Sequence, residues 1–169
     1  PRLIILIGYS RCLCAVNRKV VSVSVNCPVK LPVMGSRHPN HMSSHEAMLG
    51  AGWSDGLPLV PPTAELVARM LTGTSRASND LLGLCPPMYA ELTVAHVAAN
   101  AVMAGCEPQH LRVVLAAAEA MLSEEFNLHG VSATTMGATP VLLVSGPVQQ
   151  EAGLNSTCGA LGSGTRGNA

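Results

Sequence analysis

The chain has 169 residues, 48% of them apolar and 12% charged, with ten Lys and Arg balanced by ten Asp and Glu. Formal neutrality excludes the chain-wide basic surface that gathers nucleic acid, and no run reaches the roughly 18–20 apolar residues a membrane helix needs. Aromatics are 2% of the chain (Tyr9, Trp53, Tyr89 and Phe126), so a core has to be built from Ala, Val, Leu and Met. Closely packed helices on a sheet suit that composition.

The charge is unevenly placed. Residues 1–45 hold Arg2, Arg11, Arg18, Lys19, Lys30 and Arg37 and no acid, whereas everything from Glu46 onward carries four Arg, all ten acids and no Lys. Leu3–Tyr9 is apolar, but Arg11, Arg18 and Lys19 follow it, the wrong order for a secretory signal. A basic nucleic-acid arm is usually hydrophilic, and this stretch is rich in Val, Ile and Cys. The composition shift therefore favours a third reading, a non-native or disordered leader over residues 1–45, with Met34, Met42 or Met48 as candidate initiators. Residues 46–169 then form a single α/β domain.

Elements after the shift follow in order. Trp53–Thr63 is an extended, proline-punctuated segment, and Thr63 can cap a helix over Ala64–Leu71 with Gly73 just past its end. Leu81–Leu84 reads as a short strand stopped by Cys85-Pro86-Pro87. Val94, Val97, Ala98, Ala101 and Val102 recur at helical spacing behind Thr93 as N-cap, and Gly105 ends that helix. Pro108 opens a second helix with Leu111, Val114, Leu115, Ala118 and Leu122 on one face, so a helical hairpin crosses Gly105–Pro108.

The period then changes. Val131, Thr134 and Thr135 alternate weakly and predict a strand over residues 131–135. Pro140–Gly146 is a continuous apolar run of buried-strand length. Pro147–Ala152 fits one helical turn with Gly153 as its cap. The fold class expected is α/β, a helical hairpin packed on a small sheet, as an incomplete domain truncated at its C-terminus.

The chain closes on the glycine-rich run Asn155–Asn168, where absent Cβ atoms let backbone N–H groups approach an anion. Gly162, Gly164 and Gly167 have the spacing of a dinucleotide loop, but the strand directly before and the acid about 20 residues after are missing. A general small-anion site is the better functional reading, and a flexible structural loop stands beside it. Its candidate binding residues are Asn155, Ser156, Gly162, Gly164, Arg166 and Asn168, with Thr134 and Thr135 opposite. His129, at an expected loop–strand junction, is placed to act as acid or base, or simply to satisfy loop carbonyls.

Cysteine supplies the other candidates. Cys106 precedes the Pro108 helix, whose dipole favours a thiolate, although Glu107 opposes it. Cys158 lies among backbone donors that can stabilise its anion. His96 and Asn100, at i and i+4, read as a polar pair joining their helix to a neighbouring loop. His38, His41 and His45 could grip a metal only on a helix, which Pro39 and Asn40 oppose, so no metal is assigned. Irregularly spaced cysteines make no disulfide framework, and a reducing cytoplasm is the expected location.

Trp53-Ser-Asp-Gly-Leu-Pro-Leu-Val-Pro-Pro-Thr63, Asn100-Ala-Val-Met-Ala-Gly-Cys106, Phe126-Asn-Leu-His-Gly130, Ala133-Thr-Thr135, Val144-Ser-Gly-Pro147 and the Asn155–Asn168 run occur in order. Together they resemble an uncharacterised bacterial family of UGSC-type (seleno)proteins, loosely grouped with thioredoxin-related proteins. The likeness covers about Gly52 to Ala169, and it implies a thiol- or selenol-linked redox role and a further Ala/Ile/Leu-rich helix beyond the run. No Cys-Gly-Ser-Cys or Cys-x-x-Cys element is present to carry that role.

Two functions are therefore expected. One is an enzyme on a small anionic or thiol substrate, held between residues 129–135 and Asn155–Asn168, with His129 as acid/base and Cys106 or Cys158 as the thiol. No cofactor is assigned to it. The other is a non-catalytic scaffold or partner domain of a redox protein, either a homo-oligomer or packed on an adjoining redox domain through the helical hairpin. Neither reading calls for nucleic acid or a membrane.

Overall fold

The computed structural model describes residues 3–9, 44–54, 56–162 and 166–168, the first of these as backbone. In chain order the elements are β1 (Leu3–Tyr9), α1 (Ser44–Gly50), α2 (Ala64–Leu71), β2 (Leu81–Cys85), β3 (Ala90–Thr93), α3 (Val94–Met103), α4 (Pro108–Leu122), α5 (Leu128–Ala133), β4 (Ala138–Val144) and α6 (Pro147–Glu151). Single turns of 3-10 helix occupy Glu124–Phe126 and Arg166–Asn168. Most of the expected leader lies outside the described residues. Its Leu3–Tyr9 runs as β1.

Helices α2, α3 and α4 make the core. Val67 and Met70 of α2 meet Val94, Val97, Ala98, Ala101 and Val102 of α3, and Leu111, Leu115 and Ala118 of α4. The periodic stripe read for α3 is buried in full, and Ala99 is buried with it. Such breadth follows from position, because α3 packs on both α2 and α4, which also meet each other. Alanines at the contacts let the helix axes come close without cavities. The spacing of α2 and α4 is tighter still: a Cβ on Gly73 would run into the carbonyl of Pro108.

Both helices of the hairpin start by the same device. The side chain of Thr93 accepts the His96 N–H at 3.4 Å, and the Thr93 N–H donates back to His96 Nδ1 at 3.2 Å. At α4 the Glu107 N–H donates to His110 Nδ1 at 2.9 Å. Each histidine sits three residues after the N-cap and answers an amide that the helix cannot. The loop role read for His96 and Asn100 is therefore corrected. Asn100 Nδ2 donates to the His96 carbonyl at 2.8 Å, so the pair serves its own helix.

Strands β2 and β3 form an antiparallel hairpin with an irregularity between Leu81 and Gly83, laid against α4. Leu82 and Leu92 pack on the helical core and Cys85 is buried. Strands β1 and β4 form a second antiparallel pair, from Leu3 opposite Val144 to Tyr9 opposite Ala138. The architecture is mixed α/β, a helical hairpin packed with small two-stranded antiparallel sheets. No described helix is long and apolar enough to cross a membrane.

Two strand readings need correction. β4 exists, but it is not buried, since Leu142 and Leu143, on successive positions of a two-stranded ribbon, are both exposed. A continuous apolar run is buried only when both sheet faces are covered. The other is residues 131–135, which are not a strand. Asn127 takes a left-handed conformation (φ 52°, ψ 52°), and its side chain accepts the Gly130 N–H at 3.2 Å, which starts α5. That local cap overrides the weak β preference of Val131, Thr134 and Thr135.

Candidate functional site

His129 lies in the first turn of α5 rather than at a loop–strand junction, and it is exposed. Its ring stacks on Tyr89 with centroids 6.2 Å apart and planes 21° apart. Tyr89 (φ 52°) is at the tip of the β2–β3 hairpin, after the cis Pro86–Pro87 bond. Thr134 closes α5 and accepts the Met136 N–H on Oγ1 at 3.1 Å, so it shapes a turn. Thr134 and Thr135 are both exposed there. His129 is thus tied to the hairpin.

The glycine run is fastened elsewhere. Asn155 N–H donates to Asn168 Oδ1 at 2.7 Å, and Asn168 Nδ2 donates to the carbonyls of Asn155 at 3.0 Å and Ala160 at 2.7 Å. The Asn155 amide donates to the Cys158 carbonyl at 3.0 Å and accepts from both the N–H and the hydroxyl of Thr157. These two asparagines, expected to bind an anion, spend their amide groups closing the loop on itself. Ser156 and Gly162 are exposed on it. Gly164 and the Arg166 side chain lie outside the described residues, as do His38, His41 and the His45 side chain.

The thiols divide by environment. Cys158 is exposed in the run, Cys85 is buried at the end of β2, and Cys106 is intermediate at the hairpin corner. Desolvation pushes the Cys106 thiol up from its ordinary value, opposite to what a helix start does for a thiolate. Burial raises Cys85 too. Unfolded cysteines titrate near ~8.5, so native Cys85 and Cys106 hold their protons to higher pH than the unfolded chain. Their contribution to stability is complete below that value and is lost as pH rises through the folded-state values. The urea midpoint should therefore fall on alkaline titration, and Cys106→Ala should flatten the fall. Iodoacetamide should alkylate native Cys106 several-fold more slowly than the unfolded chain at the same pH.

Sequence reasoning missed His110, a buried polar side chain at the start of α4. Its Nδ1 accepts from Glu107 N–H, and Nε2 lies 2.9 Å from the carbonyl of Ala152. A backbone amide only donates, so Nδ1 is bare and the neutral ring carries its proton on Nε2. The readable signal was Glu107-Pro-Gln-His110, with histidine in the place where a capping box holds Glu or Gln.

One further concavity stands apart from these residues. It is a largely apolar cleft of about 160 Å³ between α1 and the proline-rich segment, lined by Met48, Ala51, Trp53, Pro61 and Pro62. Among the described residues no group of three or more His, Cys, Asp and Glu is gathered as a metal site.

No protein-family model, curated protein or solved structure matches this chain. Its site is therefore read from its own geometry.

Proposed function

We propose that this chain is a non-catalytic scaffold domain that associates reversibly with a second copy of itself through the β2–β3 hairpin. The observation that carries the reading is the hairpin's outer surface. Leu81, Leu84, Met88 and Tyr89 are 54%, 53%, 66% and 58% exposed, while Leu82, Leu92 and Cys85 turn inward. Exposed apolar side chains carried on one hairpin favour burial against another apolar surface. The helical hairpin, the docking face expected from sequence, is instead consumed by the core.

Four side chains are far fewer than the roughly 20–30 residues a side of a standard stable interface, which is why the association is reversible. The redox setting comes from the family resemblance and would belong to the assembly. Sedimentation equilibrium of the full chain over a wide concentration range tests the reading. Mass-action dimerisation is expected, with Leu84→Lys plus Met88→Lys weakening it at least tenfold. A chain that stays monomeric throughout sinks the proposal. So does catalytic turnover of a disulfide substrate that Cys158→Ser abolishes, because that outcome restores the enzyme reading.

A further inference from the structure

We infer that the cleft between α1 and the proline-rich segment is a binding site for a small uncharged aromatic molecule about the size of one ring. Its first wall is built at the end of α1. Gly52 (φ 73°) takes the left-handed conformation there, its N–H bonds the Leu49 carbonyl at 3.0 Å, and the Trp53 N–H bonds the Met48 carbonyl at 3.0 Å. This pair of bonds ends a helix so that the residue after the glycine packs back on the last turn. Trp53 is thereby set beside Met48, and both line the cleft.

The second wall is stiff by composition. Pro61 and Pro62 have φ fixed by their rings. Before them the Val60 N–H bonds the Met103 carbonyl of α3 at 3.1 Å, and after them Thr63 caps α2 by accepting the Leu66 N–H at 3.3 Å. The segment is thus held to the helical core before any ligand arrives, and a preformed site avoids the ordering cost of binding.

Size and polarity define the occupant. A cleft of about 160 Å³ is close to the ~150 Å³ apolar cavity that takes up benzene, and well under the ~300–1,000 Å³ of sites for drug-sized ligands. None of the described residues lining it is ionisable, and the Thr63 hydroxyl oxygen already accepts as a cap. A charged ligand would lose hydration there without gaining a partner, whereas an aromatic ring meets the indole of Trp53. Water gains little, since it needs about 2–4 polar partners. The cleft shares no described residue with the β2–β3 hairpin, so this inference does not depend on self-association.

Proton–nitrogen NMR correlation spectra of the full chain, titrated with benzene up to its solubility in water, test it. Shifts should centre on the amides of Ala47, Ala51 and Trp53 and on the Trp53 indole N–H. They should saturate with a Kd on the order of 1–10 mM, the range open to a ligand of six heavy atoms. Benzoate, the same ring with a charge, should bind about tenfold more weakly or worse. Ala51→Leu, at an exposed position on the cleft wall, should abolish saturation by filling the space. Shifts that stay linear in benzene, or spread evenly over the chain, overturn the inference whether or not the variant folds. Equal binding of benzoate does the same. If the cleft resonances instead move on dilution of the free protein, the space belongs to a second copy and the small-ligand reading falls.

Discussion

Leu111→Ala should destabilise the domain by about 3 kcal/mol, within the ~2–5 kcal/mol range for emptying a buried leucine site. Leu111 is 0% exposed and lies in the core where α4 meets α2 and α3. Its loss removes contacts that Ala98 and Ala101 across the interface are too short to replace. For a domain of marginal stability, roughly 5–15 kcal/mol in all, that is a large fraction. Urea unfolding followed by helical circular dichroism measures it, and Leu84→Ala is the comparison. That residue is exposed on the hairpin, so its removal should fall within about 0.5 kcal/mol of neutral. Equal shifts for the two variants would mean that the core has been placed wrongly.

Gly73→Ala should also destabilise, by about 2–3 kcal/mol, and here the sign is the test. Gly73 stands just past α2, donates its N–H to the Met70 carbonyl at 3.0 Å, and does not need a left-handed conformation. On backbone entropy alone, alanine at such a site would stabilise by about 0.4–1 kcal/mol. Contact decides otherwise, because the new methyl would collide with the Pro108 carbonyl. The obstacle is backbone at the first turn of a packed helix, and it cannot rotate aside as a side chain would. A measured gain in stability would show that α2 and α4 do not approach so closely.

The sequence was most legible where local signals agreed. Thr63 and Thr93 cap α2 and α3 as expected, Pro108 opens α4, and the apolar spacings of α3 and α4 name the core. Each element there has periodicity, a start signal and a stop signal pointing the same way. β3 was missed because four residues, Ala-Glu-Leu-Thr, are too few to show a period, and its pairing with β2 is a tertiary fact. Residues 131–135 read as a strand because two threonines outweigh a cap that lies outside them, at Asn127.

The candidate site was less legible than the fold. The expected site sets His129 and the Asn155–Asn168 run across one pocket. In the structure His129 stacks on Tyr89, the run is closed by its own Asn155 and Asn168, and His110 of α4 bonds Ala152 just before it. Side-chain attachments made across 42 residues leave no mark on local sequence pattern. Cys106 carries a related lesson. Helix-start position favours ionisation, burial opposes it, and only the structure shows that burial prevails.

The sole tryptophan of the chain, Trp53, lines the apolar cleft beside α1, away from the core formed by α2, α3 and α4. Intrinsic fluorescence therefore watches the α1 cleft, and far-ultraviolet circular dichroism is weighted towards the longer helices α2, α3 and α4. The two signals coincide only if the cleft and these helices unfold together. An unmodified protein thus carries the pair of reporters needed to ask whether it melts in one step.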